Sequence, residues 1–453
     1  MAASGRSGTF DRLHSQVRQS DISDRTLLIP LMAPAASRLI AASFRAVGVN
    51  AMVLESYTGL ALGKEFTSGK ECFPCQVTVG DILYHLRKEK ERLGPAFDPT
   101  KYAFFMPEAE GPCRFGMYNK LQRLILDRFE DFREVPIAYL STRNSYGSEG
   151  IVPPERASAF RKLSYVSVII ADVLDRTVWR ARPYEWRPGM TDAFMETALG
   201  AMEAAIEAEG GDLRYHRLYD LLEDIVSTAA GFVDPRLPRR PRIGVIGEIY
   251  LRSHPQSNQD IVRRLEGFGA EVTDASIGEW VNYVSYDRGK RLQRQWRSAR
   301  RRGDREALKG LVGPRLGNAV EQLWQSWRQG QAFGRALRRL DIQPDHGIGT
   351  IERRLENAHL FDFAIGTEAA LSIGGALEYV HDGFDGIVNV FPFTCMPSTI
   401  AAAVLKPLLH QKRIPFIDAP CDGTIQPNRE TALRTFVYQA KQHRDARLAV
   451  KEP

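Results

Sequence analysis

The sequence is poor in cysteine and has no long apolar segment. Only five of its 453 residues are cysteine, a low and odd number that argues against a secreted scaffold held together by disulfides. No apolar run approaches the ~20 residues that a bilayer-spanning helix needs. The first residues also lack the apolar core of a signal peptide. We therefore expect a disordered lead-in over residues 1–24 and a cytoplasmic protein whose reduced cysteines bind metal or do redox work.

Motifs that bind nucleotide phosphates are also missing. The chain contains no Gly-x-x-x-x-Gly-Lys-Ser/Thr loop, and Gly244-Val-Ile-Gly247 lacks the third glycine of a dinucleotide-binding fingerprint. The nine histidines include no His-Glu-x-x-His pair. Any ATP hydrolysis that drives this protein is therefore expected to come from a separate partner.

The charge is nearly balanced overall but locally one-sided. Sixty-one basic and 55 acidic residues give a net charge of +6, and residues 288–302 hold eight Lys or Arg and no acid. Such a run suits nucleic acid or polyphosphate, yet it is more often a solvated helix face. We favour the helix face, so we expect no nucleic-acid partner and no membrane partner.

Short apolar runs alternate with helical periodicity in the first third of the chain. This alternation predicts a parallel sheet with helices on both faces, which we place in a first α/β domain at residues 25–150. The predicted strands lie at residues 26–31, 51–54, 102–106 and 135–139.

Residues 151–235 carry only helical periodicity, and a proline-rich linker then leads to a second α/β domain at residues 236–453. We expect a basic helical insertion at about residues 275–345 within that domain. The fold class is thus α/β, with two Rossmann-like parallel-sheet units, helical insertions and a metal cluster at the junction of the units. The strands predicted in the second domain lie at residues 242–247, 270–273, 361–365, 386–390 and 414–418.

Four of the five cysteines lie in turns rich in Gly and Pro, where a strand gives way to a helix. They are Cys72, Cys75, Cys113 and Cys395. Ligands of open α/β sheets bind beyond the carboxyl ends of the strands, and the positive end of a helix favours thiolate. We therefore expect these four thiolates to converge from both domains on one [4Fe–4S] cluster.

Other uses of the cysteines stay open. Cys72-x-x-Cys75 alone resembles a thiol redox site, the four thiols could hold zinc, and buried free cysteines are common. Cys421 also follows a predicted strand and is a candidate additional ligand. Three polar residues at strand ends are candidates for the same cleft: Glu248, Glu368 and Asn389.

Four segments form a pattern that is specific in combination. They are Thr67-Ser-Gly-Lys-Glu-Cys72-Phe-Pro-Cys75, Gly111-Pro-Cys113-Arg-Phe-Gly116, Gly247-Glu-Ile-Tyr250 and Pro392-Phe-Thr-Cys395-Met-Pro397. In this order they resemble the 2-hydroxyacyl-CoA dehydratase / benzoyl-CoA reductase-like superfamily, in the branch related to acyl-CoA dehydratase activases. The resemblance covers about residues 25–440, nearly the whole chain.

The resemblance implies Rossmann-like domains and a [4Fe–4S] cluster at their junction. It also implies a separate ATP-hydrolysing activase, or another low-potential electron donor, that starts radical dehydration of a 2-hydroxyacyl-CoA. By the same resemblance, Cys72, Cys113 and Cys395 match the recurrent cysteines, and Cys75 belongs to a longer Cys-x-x-Cys form.

Four thiolates would leave no iron open to substrate. Relay of the electron is therefore an alternative to action on an acyl-CoA. A non-catalytic, metal-stabilised assembly or regulatory protein is the alternative from another class. A dimer stays open.

Overall fold

The computed structural model describes residues 22, 24–109, 111–140, 148 and 150–449. The predicted lead-in over residues 1–24 lies outside the described residues, apart from Ile22 and Asp24. The described chain forms two four-stranded parallel sheets with many helices, so the predicted α/β class with two parallel-sheet units is confirmed. The cluster at their junction and the domain boundaries stay predictions.

The first sheet has the strand order β2-β1-β3-β4, with every pair parallel. Leu28 and Phe104 pack on one face, while Leu27 and Phe105 pack on the other, so both faces are buried. The strands are β1 Thr26–Ile29, β2 Ala51–Val53, β3 Tyr102–Phe105 and β4 Ile137–Ala138. The helices of this unit are α1 Pro34–Ala46, α2 Leu60–Glu65, α3 Phe73–Leu93 and α4 Tyr118–Leu126.

Three long helices follow, and they pack against α1 in one apolar core. They are α5 Ala157–Ala181, α6 Met190–Glu209 and α7 Tyr215–Ala230. Their buried residues recur at helical spacing, as Leu218, Leu222, Ile225 and Val226 do in α7, so the sequence itself places one face of each helix inside.

The second sheet repeats the strand order of the first, as β6-β5-β7-β8, again with every pair parallel. Its strands are β5 Arg242–Gly247, β6 Glu271–Asp274, β7 Gly386–Pro392 and β8 Phe416–Cys421. Three short helices lie between β5 and β6: α8 Ile249–Ser253, α9 Pro255–Asn258 and α10 Ile261–Gly267.

The basic insertion between β6 and β7 begins with a helical hairpin. Helix α11 spans Ile277–Arg302 and α12 spans Arg305–Leu337, with Gly303 at φ +69° in the turn. Asp172 of α5 accepts hydrogen bonds from the N–H groups of Ile277 and Gly278, at 3.0 and 2.8 Å, which joins the hairpin to the helical layer. The remaining helices are α13 Ile348–Asn357, α14 Ala369–His381, α15 Met396–Gln411 and α16 Arg429–Ala449.

One predicted strand is wrong. Residues 361–365 contain a 3₁₀ turn, Phe363–Ile365, because Asp362 caps it by accepting the N–H of Ala364 at 2.8 Å. Gly366, at φ +70°, then ends the turn. A short apolar run between turn residues fits a strand and a helical turn equally well, so its pattern alone could not decide.

Candidate functional site

Three of the five cysteines lie directly before a helix. Cys72 precedes α3, Cys395 precedes α15, and Cys113 precedes a 3₁₀ turn, Arg114–Met117, that leads into α4. All three have extended backbone. Because the first N–H groups of a helix carry partial positive charge, each thiol lies where an anionic group is favoured.

Helix α3 places Cys72 between the two sheets. Its residues Cys75 and Val79 belong to the core of the first sheet, whereas Phe73 and Val77 belong to the core of the second. One helix therefore fills both cores, which fixes Cys72 at the junction of the two units.

Arg114 joins the three cysteine loops. Its guanidinium donates a 2.6 Å hydrogen bond to the carbonyl of Lys70 and a 3.1 Å hydrogen bond to the carbonyl of Thr394. Lys70 lies two residues before Cys72, Thr394 lies one residue before Cys395, and Arg114 itself follows Cys113. The loops that carry Cys72, Cys113 and Cys395 thus meet at one side chain.

Thr394 has a strained backbone beside Cys395. Its φ of +67° lies in the left-handed region, which a β-branched residue rarely adopts. Such strain persists only where the surroundings hold it, and it is common at functional sites. Here the hydrogen bond from Arg114 holds the carbonyl of this residue.

The charge of Glu248 acts on all three thiols. Glu248 follows β5 and caps α8, because its carboxylate accepts the N–H groups of Tyr250 and Leu251 at 3.2 and 2.9 Å. Its charge helps to raise the pKa of Cys72, of Cys113 and of Cys395, so all three thiols lie within its electrostatic reach.

A second acid, Glu368, lies in the same group. Burial, and then the charge of Glu248, raises the pKa of Glu368 to about 8. Its Oε2 is out of contact with solvent and has no hydrogen-bond partner among the described residues. Its charge also helps to raise the pKa of Cys113 and of Cys395.

Burial controls the ionisation of the thiols. It is the first cause of the raised pKa of Cys72 and of Cys113, and it raises the pKa of Cys395 to about 12. Backbone N–H groups of Phe115 and Ser398 lower the pKa of Cys113 and Cys395, as expected at the start of a helix, but burial outweighs them in the chain alone. Because metal binding requires thiolate and releases the proton, a bound cation would have to supply the missing stabilisation.

Cys75 and Cys421 have different surroundings. Cys75 lies in the first turn of α3, where burial raises its pKa and Glu71 and Cys72 are its charged neighbours. Cys421 ends β8, packs in the core of the second sheet and accepts a 3.4 Å hydrogen bond from Arg429. Cys75 thus lies one helical turn after Cys72, in the core of the first sheet, whereas the thiol of Cys421 already accepts a hydrogen bond from a guanidinium.

Asn389 has a structural position within the second sheet. Its side-chain amide donates to the carbonyl of Ser398 at 3.3 Å and to Asp418 at 2.9 Å, which links β7 to α15 and β8. Among the predicted cleft residues, the acids Glu248 and Glu368 are thus the two that lie with the thiols.

An apolar cavity of about 530 Å³ adjoins the two acids. Glu368 lines it, as do Phe115, two residues after Cys113, and Ile249, directly after Glu248. Further walls come from α5, α11 and α12, including Tyr165, Trp280 and Trp324. The cavity therefore runs from the helical layer to the cysteine site.

Thiols are the ligand type that both a single metal ion and an iron–sulfur cluster can use. Among the residues that the structure describes, no three His, Cys, Asp or Glu side chains are arranged to hold one metal ion. In a [4Fe–4S] cluster, however, each thiolate binds a different iron, so its ligands surround a larger group. Three thiols at helix starts, on loops that Arg114 joins, with Cys75 one turn after Cys72, match the type and number of ligands of such a cluster.

Sequence reasoning missed two residues of this site, Arg114 and Tyr118. Arg114 is adjacent to Cys113, but the carbonyls that it binds are 44 and 280 residues away in the chain. Tyr118 lies on the buried face of α4, and its hydroxyl is within hydrogen-bonding reach of Cys72. Adjacency to a cysteine was the one available signal for Arg114.

In comparisons with known proteins, no family model and no curated protein matches the chain. Within the described ranges, no helix combines the length and the apolar character that crossing a membrane requires.

Proposed function

We propose that Cys72, Cys113 and Cys395 hold one [4Fe–4S] cluster and that this protein belongs to the 2-hydroxyacyl-CoA dehydratase type. In this proposal a separate ATP-hydrolysing activase supplies low-potential electrons, and the protein acts on an acyl-CoA in a reducing cytoplasm. The observation that carries the proposal is the meeting of three thiol-bearing loops, from both sheet units, at Arg114 and Glu248.

The protein's own residues would have separate roles in binding the cluster and the substrate. Cys72, Cys113 and Cys395 would hold the cluster, which would pass the activase's electron to a bound acyl-CoA. The apolar cavity excludes water and takes the apolar part of the acyl group. Glu368 lines the cavity, and its Oε2 has no partner among the described residues, so it can hold or move a proton on the substrate. Arg114 keeps the three loops together.

Iron content tests the cluster. Anaerobic purification should give a brown protein with about four irons per chain. Cys113→Ser and Cys395→Ser should each lose the iron, because each removes a ligand from a different sheet unit. Cys421→Ser is the matched control and should keep it, since Arg429 already engages that thiol. A colourless preparation that contains zinc would overturn the proposal.

A second candidate function is electron relay through a cluster bound by four thiolates, and the position of Cys75 supports it. Cys75 lies in the first turn of α3, three residues after Cys72, so it can supply a fourth thiolate. EPR of the reduced protein separates the two functions. If acyl-CoA changes the signal of the wild type, an iron is open. If only Cys75→Ser responds to acyl-CoA, Cys75 closes the cluster and relay is favoured.

Two other uses of the cysteines have less support. A Cys72–Cys75 redox pair needs an accessible thiolate, but Cys75 is 1% exposed and burial raises its pKa. A metal-stabilised assembly protein would bind metal yet show no response to acyl-CoA in either the wild type or Cys75→Ser.

A further inference from the structure

Helix α12 carries an exposed apolar stripe along its outer face. The stripe consists of Val312, Leu316, Val320, Leu323 and Trp327, with exposed fractions of 45, 63, 65, 73 and 53%. Spacings of four, four, three and four residues keep all five side chains on one side of the helix. At 1.5 Å per residue the stripe is ~22 Å long. Contiguous apolar surface of this kind marks an interaction site.

The order of residues in the stripe is symmetric about its centre. Two copies of α12 in antiparallel contact, centred between Ala319 and Val320, pair Leu316 with Leu323 of the other copy. They also pair Val312 with Trp327. Small residues thus lie opposite large ones at both ends, as close packing requires. A surface that matches itself after a two-fold rotation is the requirement for a closed dimer.

Charge selects the antiparallel direction. Arg305 and Lys309 lie on the same side of α12 as the stripe, before its first residue. In a parallel pair each would lie against its own copy, and like charges would repel. In the antiparallel pair they lie near Gly330 and Gly334 of the other copy. A Cβ at Gly330 or Gly334 would meet nothing within 4 Å in the chain alone.

We infer that this stripe is a homodimer interface in which two α12 helices cross antiparallel about a two-fold axis near residues 319 and 320. The interface also bears on the cavity, because Gly317 and Val320 are among its lining residues. A second copy on the stripe therefore packs against part of the cavity wall. This inference is independent of the proposed cluster, since none of the stripe residues lies at the cysteine site.

The mass in solution tests the interface. Light scattering on the full chain should give twice the 50.9 kDa of one chain. Leu316→Glu and Leu323→Glu put unpaired charge in the seam, so each should weaken the dimer roughly 100-fold or more. Both positions are exposed, so the fold should survive, which circular dichroism checks. Leu448→Glu, exposed at 49% on α16, is the matched control and should stay dimeric.

Disulfide trapping tests the direction of the helices. Val320→Cys lies near the axis and should cross-link with itself under mild oxidation. Val312→Cys should not cross-link alone, but it should do so in a mixture with Trp327→Cys. A monomeric wild type, or a Leu448→Glu protein as weakened as Leu323→Glu, overturns the interface. Self-linking of Val312→Cys overturns the antiparallel arrangement.

Discussion

The two sheet units share one strand order but supply different chemistry to the site. The first contributes the thiols Cys72 and Cys113. The second contributes Cys395 and both acids, Glu248 and Glu368. The topology is repeated, whereas the side chains that follow equivalent strands are not. A junction between two such units can therefore bring the thiols of the first unit together with the thiol and the acids of the second.

The two units also differ in how closely the backbone packs around a glycine with positive φ, which ends β5 in the second unit and follows helix α1 in the first. In the second unit Gly247 ends β5 with φ +120°, and a Cβ there would lie 2.0 Å from the carbonyl oxygen of Val390. In the first unit Gly48 has φ +88° but open space around it. The loop that carries Glu248 thus depends on close contact with β7, while the first unit's turn depends on conformation alone.

The largest effect is expected from Gly247→Ala. It adds a left-handed strain of ~1–3 kcal/mol and a clash with β7 of similar size, so unfolding should become easier by ~4 kcal/mol. Gly48→Ala, with the strain alone, should cost ~1–2 kcal/mol. Urea unfolding midpoints measure both. Equal losses would show that the close contact at Gly247 contributes nothing.

A pH effect is expected where the first unit meets the second at Asp81. This carboxylate accepts from Ser56 at 2.6 Å and from the N–H of Tyr57 at 2.9 Å, near Glu55. The charge of Asp81 also helps to raise the pKa of Tyr250 in the second unit. Burial raises the pKa of Asp81 to about 7.

Stability should therefore fall as pH rises from about 4 to about 7. Over that interval the unfolded chain gives up the Asp81 proton and the folded chain keeps it, a loss of up to ~4 kcal/mol. Asp81→Asn should flatten this slope. Asp24→Asn, which alters an exposed acid of the same unit, should leave the slope unchanged. Urea unfolding at a series of pH values measures this slope. If stability fell as steeply with pH in Asp81→Asn as in the wild type, the raised pKa of Asp81 would be contradicted.

Much of the fold could be read from the sequence because buried parallel strands are short apolar runs between turn residues. β5 has the predicted bounds, and the other strands differ by one to three residues at an end, apart from the wrong strand at residues 361–365. Cys113, Cys395 and Glu248 could be found because they follow strands β3, β7 and β5, and parallel strands bring their carboxyl ends to one edge. Glu368 was found from the wrong strand, since it follows the 3₁₀ turn Phe363–Ile365, and helix α2 lies between β2 and Cys72. No such rule identifies Arg114, because its partners are backbone carbonyls, which every residue type has.

The direction of the thiol pKa values was also beyond the sequence. A helix end stabilises a thiolate by a modest amount, whereas full burial opposes it more strongly. Which effect prevails depends on how α3, α4 and α15 pack around the site, and sequence spacing does not contain that information. The structure shows that burial prevails at Cys72, Cys113 and Cys395.

The smallest effect is expected from Arg114, and it tests how tightly the two units are joined. Arg114→Ala removes two hydrogen bonds to carbonyls that water can reach, so it should cost only ~1–2 kcal/mol in urea unfolding. Arg114→Lys should behave like Ala, because a single ammonium lacks the planar fork that binds both carbonyls. Arg128→Ala, an exposed cation just beyond α4, is the matched control and should unfold like the wild type. If Arg114→Lys also matches the wild type, charge near Cys72 is sufficient and the bridge between the cysteine loops is not needed.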